Sequence, residues 1–494
     1  MKNILLLILT SLSLSLCANN IQVTNVSLAS QDAVRDFYMI EFDLSWENSW
    51  RSSTYESNWD AAWVFVKVTL KNQADWQHAS LHYINGTSDG HVMPAGATYR
   101  TANNSYGTTS EGKGIFIYRD ADGFGNVNFQ NIQIRWDYGA DGFRDADILE
   151  ISVHGIEMVY VPQGAFYVGD GEGDYGQFEA GNTGNPYRIT SEAAIILGGT
   201  NANNLSNNNA VNVNDPDDFD YGTLRSLPAA FPKGYDAFYC MKYETSQAQY
   251  ASFLTKLTEV QKTDRDGPFT VNGSNVFPIR DGEGFAIADN PERAMDYLSW
   301  ADIAAYLDWA ALRPMSELEY EKACRGPLDP VEGEYAWGNR SWYRDWLYTL
   351  ENAGTAQERI TDGMGEGVGN ANPFLSTVGG AELLRCGIFA ASSVNHTRQE
   401  TGATYWGIME MTGNALEPLI SVGNSQSRDF SGRHGDGTVT GSGNASFTLL
   451  TDWAFVNAVG VGRKYESVSR RLFINATRTD RVGYHGLRGV RTAN

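Results

Sequence analysis

Cysteine is scarce in this chain: 494 residues contain four, at Cys17, Cys240, Cys324 and Cys386. So few thiols exclude a disulfide-stapled scaffold, and stability has to come from cores of the size that two or three domains can build. Basic residues are also short, 37 Lys plus Arg against 59 Asp plus Glu, for a formal charge of -22. That balance repels a nucleic-acid backbone or an anionic membrane surface, while a cationic ligand or metal is easier to accommodate. After residue 18 nothing approaches about eighteen consecutive apolar residues, so no transmembrane segment is expected in the mature chain. Disorder and a collagen-like fibre are excluded by what is plentiful, 60 Trp, Tyr and Phe residues and 51 Gly, which predict aromatic-filled cores joined by tight turns.

The first 18 residues read as a secretory signal: Lys2 is the positive start, Ile4 to Leu16 the apolar stretch and Ala18 the small residue before cleavage. The mature chain is therefore expected to be secreted, periplasmic or at the cell surface. Cys17 lies near the place of an acylated lipoprotein cysteine, but Leu16 stands where such signals carry a small residue, so lipid anchoring is not favoured. Cleavage after Ala18 leaves three cysteines, enough for at most one intrachain disulfide.

Over 19–155 the apolar residues come in short alternating runs, around Phe37 to Leu44, Trp63 to Leu70, Ile115 to Tyr118, Phe129 to Trp136 and Ile148 to His154. This period of two predicts an antiparallel β-sandwich. Trp46, Trp50 and Trp59 crowd what reads as a loop before Ala61; they fill or cover the sandwich core, or form a sugar-stacking patch. Asp120 to Asn126 sets short acceptors around glycines and reads as a hairpin turn bonding its own backbone, since the distal Glu of an EF-hand loop is missing.

A second module, 156–494, opens with a strand, turn and strand from Met158 to Val168 and carries an Asn- and Asp-rich surface insertion near 170–225. Three helices are predicted, over about 246–257, about 301–312, and from Ser316 to a stop at Gly326. Ser246 or Thr245, Ser299, and Ser316 with Glu319 are their capping groups.

The run Arg313-Pro314-Met315-Ser316-Glu317-Leu318-Glu319-Tyr320-Glu321, followed by Trp337-Gly338-Asn339, resembles the formylglycine-generating enzyme, or sulfatase-modifying factor, family. Phe238 to Tyr250, Trp300 to Trp309, Trp406 to Glu417 and Gly486-Leu487-Arg488 are similar to further motifs of that family, in the same order. The resemblance covers about 157–494 and implies an irregular mixed fold of C-type-lectin type, making the whole chain α+β. It also implies an activity: oxidation of a sulfatase cysteine to formylglycine with oxygen and a copper ion held by paired cysteines near the carboxyl end.

In the matching segment, Gly462 to Arg471 and on to Arg478, there is no cysteine. Ser467 and Ser469 could fill similar volume, yet neutral hydroxyls lack the affinity of thiolates for copper(I). No copper and no catalytic residue is therefore expected. Iron-dependent carbon–sulfur bond formation, another activity of the family, would want clustered histidines, and His396, His434 and His485 show no paired ligand spacing. The resemblance further implies structural calcium, with Asn414 and Glu417 in one loop and Asn352 in another as metal ligands; a hydrogen-bonded turn is the alternative at each. Arg313, Glu317, Glu321 and Arg325 read as fold support, with Glu321 to Arg325 a favourable i to i+4 pair, and Arg488 as an anchor for the last strand.

The function expected is that of a non-catalytic, secreted or envelope-associated structural or binding protein. Its partners would be other envelope or extracellular proteins, a second copy, or a glycan, and the resemblance allows a place in a bacterial gliding-motility or secretion assembly. Two alternatives stand beside it: a divergent metal-dependent oxidoreductase acting on a thiol or peptide, and a calcium-dependent carbohydrate-binding protein.

Overall fold

Strand β3 (Asp60–Leu70) is buried along all but its last residue, so it has no solvent face. Its side chains alternate between two cores, as a period of two requires. Ala62, Val64, Val66 and Val68 pack with Ile40, Phe42, Ile132 and Ile134 on one face. Ala61, Trp63 and Phe65 pack on the other with Ile303, Tyr306 and Leu307, far along the chain. Trp63 Nε1 seals that contact by donating to the Ala310 carbonyl at 2.9 Å.

A computed structural model describes residues 20–103, 111–172, 176–207, 216–265, 270–271, 274–275, 279–280, 286–287, 290–343, 348–372, 383–446, 453, 458–461, 467–471, 481 and 485–493. The signal segment, Cys17, and most of the terminal stretch from Gly462 to Arg478 lie outside these residues.

The chain is mostly β, built around a curled antiparallel sheet of twelve strands. In chain order its first strands are β1 (Gln22–Asp32), β2 (Phe37–Arg51), β3, β4 (Gln77–His78), β5 (Leu81–His82), β6 (Ala97–Asn103), β7 (Glu111–Arg119), β8 (Gly123–Trp136) and β9 (Leu149–Val161). The spatial order is β1-β2-β8-β5-β7-β3-β9, then Phe238–Met241, Gly489–Thr492 and Arg313–Pro314; β4 joins β3 and β6 joins β7. β9 pairs with β3 from Leu149 to Val159 and, at its far end, with Phe238–Met241. One strand thus crosses residue 155 without a break, and the sheet is continuous from the first alternating segment into the second module.

Three sequence expectations change. Trp46 and Trp50 lie on β2, not in a loop; bulges between Phe42 and Leu44 and between Trp46 and Ser49 reset the alternation and hide the strand. Residues 120–122 do not close a paired hairpin, because β7 pairs with β3, β5 and β6 while β8 pairs with β2 and β5. The insertion near 170–225 carries a small sheet of its own, Phe178–Ala180, Ile195–Leu197, Leu205–Asn207 and Arg225–Leu227, whose Leu197, Leu205 and Leu227 enter the main core.

The helices follow their capping signals. Gln247–Thr255, Trp300–Trp309 and Glu317–Arg325 start at Ser246, Ser299 and Ser316, each closing a reciprocal capping box, and the third stops at Gly326. Ser316 Oγ accepts from the Glu319 amide at 3.1 Å and donates to the Pro232 carbonyl at 2.9 Å. Ser316→Ala removes both bonds, and a loss of about 1–2 kcal/mol is expected from urea unfolding at unchanged m-value. A change of only a few tenths of a kcal/mol would show that the cap adds nothing here.

Candidate binding cleft

A cleft of about 530 Å³ forms where three distant segments meet: the end of β2 with residues 52–58, the pair Lys242 and Tyr243, and residues 390–409. Its walls carry Trp50, Tyr243, Tyr405, Trp406 and Met409, with Glu56, His396 and Arg398 among the polar groups. Trp50 lies close over Gly407, whose φ is +86° and where an added Cβ would come 2.9 Å from the indole Cζ2. Glycine is required there twice over, for the backbone conformation and for the approach of the ring. Asn58 Nδ2 donates to the Trp406 carbonyl at 2.8 Å and ties the first wall to the third.

Lys242 forms the floor. Its Nζ is 3.0 Å from Glu157 Oε2, 3.5 Å from Asp60 Oδ2 and 5.0 Å from the Trp50 ring centre. Asp60 also accepts from Trp46 Nε1 at 2.9 Å, Ser49 Oγ at 2.8 Å and the Trp50 amide at 3.0 Å, so the same carboxylate steadies the lysine and the aromatic end of β2. Burial pushes the Asp60 and Glu157 carboxyls up against the opposing pull of Lys242. Burial opposes charge on Lys242 as well, but Glu157, Tyr243 and Asp60 hold its ammonium above the usual lysine range. Arg398 has its Nη2 on the Cys324 and Ala336 carbonyls at 3.2 and 2.8 Å. The cleft is therefore aromatic in its walls and its nearest cations are already engaged.

Tyr243 and Met409 face the cleft, and the next residue after each is a buried carboxylate. Glu244 accepts from Asn414 Nδ2 at 2.5 Å and from the Ala415 amide at 2.7 Å. Glu410 accepts from the Gly387 amide at 2.9 Å. Glu417 Oε1 is 2.6 Å from Arg488 Nε, and Arg488 also donates to the Met241 and Met409 carbonyls. Burial raises all three carboxyls: Glu244 well above its ordinary value with Glu417 adding repulsion, Glu410 to about 7, and Glu417 against the pull of Arg488.

Asn414 and Glu417 thus meet in one buried neighbourhood around Glu244. The Asn414 amide oxygen accepts from the Leu384 amide at 2.9 Å and from Asn372 Nδ2 at 3.2 Å, while Glu417 Oε2 is buried with no hydrogen-bond partner among the described residues. That oxygen is what the pair has left to offer a cation. Asn352 lies apart from this, on an exposed turn at φ +54°, where its carbonyl accepts from the Thr355 amide and hydroxyl. Arg488 ties the last strand to Glu417 and to the Met241 and Met409 carbonyls, and Glu321 and Arg325 pair at 2.9 Å.

Cys240, Cys324 and Cys386 are all free thiols in buried positions. Burial pushes the Cys240 thiol up to about 12 and the other two well above the ordinary range. Cys240 and Cys324 lie among buried apolar side chains and Cys386 against the Glu244 carbonyl, so none presents the accessible thiolate that a copper(I) site uses. Ser469 Oγ donates to Glu321 Oε2 at 2.8 Å and accepts from Arg325 Nη2 at 2.9 Å, so it belongs to the helix ion-pair network. The cleft itself escaped sequence reading, since its walls are separated by up to several hundred residues; the aromatic crowding at Trp50 was the one local signal.

Residues 150–446 match the family described as Sulfatase-modifying factor enzyme 1-like domain. The chain is similar to the formylglycine-generating enzyme of Thermomonospora curvata, 28% identical over 145 residues that cover 23% of this chain and 47% of that protein. It is similar also to the formylglycine-generating enzyme of Bos taurus, 28% identical over 131 residues covering 21% of this chain and 34% of that protein. The chain spans less than half the length of either of these curated relatives.

Proposed function

We propose that this chain, which belongs to the sulfatase-modifying factor enzyme 1-like domain family, is a non-catalytic recognition protein that holds a ligand or partner segment in its aromatic cleft. The observation that carries this reading is the state of its sulfur: three thiols, each buried and each with its pKa pushed up, against an open cleft walled by Trp50, Tyr243 and Tyr405. An oxidase of the relatives' kind needs a thiolate at the surface of its site; a binding protein needs walls that exclude water and few committed polar groups. The same reading makes the chain a secreted or envelope protein that works in a surface assembly, gliding or secretion being the settings its resemblance favours. No helix among the described residues is long and apolar enough to cross a membrane, which is compatible with that placement.

The packing of Ala62, Val64, Val66 and Val68 of β3 against Ile40, Phe42, Ile132 and Ile134 supports a sandwich-like first unit, and the irregular second unit with few helices supports a C-type-lectin-like one. A structural calcium ion beside Asn414 and Glu417 belongs to this reading. Its carbohydrate-binding alternative draws on the aromatic walls, whereas the oxidoreductase alternative requires sulfur or histidine ligands to converge.

Thiol titration and metal analysis test the proposal together. Native chain purified in air is expected to leave all three mature cysteines unreactive toward a disulfide reagent until it is unfolded, and to carry no stoichiometric copper. One thiol reacting fast in the native state, or one copper per chain, would overturn it.

A further inference from the structure

A different pocket, about 350 Å³, opens on the sheet where Arg100 of β6 meets Trp59, Tyr118 of β7 and Tyr160 of β9. Buried arginines in this chain sit repeatedly on carboxylates: Arg293 on Glu358, Arg313 on Glu319, Arg325 on Glu321, Arg471 on Asp217 and Arg488 on Glu417. Arg100 is half-buried, yet it has neither ion pair nor hydrogen bond among the described residues, and its Nε is sealed from solvent without a partner. In a chain of net charge -22 an uncompensated guanidinium facing a cavity is unusual. The neighbouring groups add donors. Tyr118 and Tyr160 flank the Trp59 ring in stacked geometry, at 5.3 and 4.0 Å between centres, and neither hydroxyl has a hydrogen-bond partner among the described residues. Arg51 lies 5.6 Å from both the Trp59 and Tyr118 rings, a second cation behind the stack.

We propose that this pocket binds a ligand bearing a single carboxylate on a sugar-sized ring, an acidic sugar, with Arg100 pairing the carboxylate and the two tyrosine hydroxyls and Gln163 reaching the ring oxygens. A guanidinium recognises a carboxylate by charge-assisted hydrogen bonds, and aromatic edges beside it exclude water from the pair. The volume is at the small end of ligand pockets and suits one or two rings, not an extended polymer. Asp236 also borders the pocket and accepts from Gln163 Nε2 at 2.8 Å, so a ligand with several negative groups is disfavoured. The site shares no lining residue with the aromatic cleft and stands whatever the thiol titration shows.

Calorimetry on the full mature chain tests it with three probes: D-galacturonate, its trisaccharide, and neutral galactose. Galacturonate is expected to bind, galactose to give no heat at the same concentration, and Arg100→Gln to weaken galacturonate at least tenfold while its unfolding midpoint stays that of the parent. Tyr160→Phe, which keeps the ring and removes the hydroxyl, is expected to weaken it several-fold. Equal affinity of monomer and trisaccharide would show that one acidic ring fills the site and would support it, whereas tighter binding of the trisaccharide, with its three carboxylates, would overturn the single-carboxylate assignment. Silence with both acidic probes, equal binding of galactose, or undiminished binding by folded Arg100→Gln would overturn it.

Discussion

Replacing Lys242 by alanine is expected to lower the unfolding free energy by about 3–5 kcal/mol at neutral pH, the scale for stripping one partner from a buried ionic cluster. Asp60 is fully buried and Glu157 nearly so, and both carboxyls are already raised by burial with the lysine in place. Without the ammonium they must either stay charged in a low-dielectric seam or take up protons. The sign with pH follows from that. A carboxyl whose folded pKa lies above its unfolded value contributes stability below the unfolded value, and that contribution is lost as pH rises through the folded one. The variant's deficit should therefore be small near pH 5 and grow toward pH 8. Urea unfolding at the two pH values reads it directly, and a deficit under about 1 kcal/mol, or one that does not move with pH, would show that Lys242 is not the counter-charge of this seam. Replacing all three groups together, as Asp60→Asn, Glu157→Gln and Lys242→Met, is expected to recover much of the loss.

That cluster also shows where sequence reading stops. Ser246, Ser299 and Ser316 announced their helices as capping residues, Ser316 with its reciprocal partner Glu319 three residues on, and Gly326 announced a stop for an equally local reason. The alternation in β3 was legible too, although nothing local said that both of its faces would be covered. Lys242 stands 182 residues from Asp60 and 85 from Glu157, and no spacing rule joins them. The cleft has the same character: Trp50 comes to rest on Gly407, a contact that no period along the chain encodes. Glu417 and Asn414 were visible through their motif, but a motif reports residue types, and only the fold reveals that Arg488 takes one Glu417 oxygen and Glu244 holds the Asn414 amide. Local chemistry was readable here; which distant side chain completes it was not.

Glu410 links the buried carboxylates to the cleft above them, and its titration should be visible in stability. Burial moves its pKa from 4.5 to about 7, with Gly387, Arg488 and Arg385 pulling down and Glu417 pushing up. A shift of that size corresponds to about 3 kcal/mol of pH-dependent stability. Because the folded value is the higher one, the contribution is complete below about 4.5 and disappears as pH rises through about 7. Glu410→Gln keeps an oxygen for the Gly387 amide and cannot ionise. Relative to the parent, this variant is expected to gain about 3 kcal/mol between pH 4.5 and pH 8.5, measured as the change in their stability difference by urea unfolding. Both chains share every other titrating group, so that difference isolates the one carboxyl from the neighbouring Glu244 and Glu417 to the extent that those two keep their own values. A stability difference that stays level across this range would mean that Glu410 is ionised in the folded chain already at acid pH, and that the buried layer behind Met409 is wetter and more polar than its burial implies.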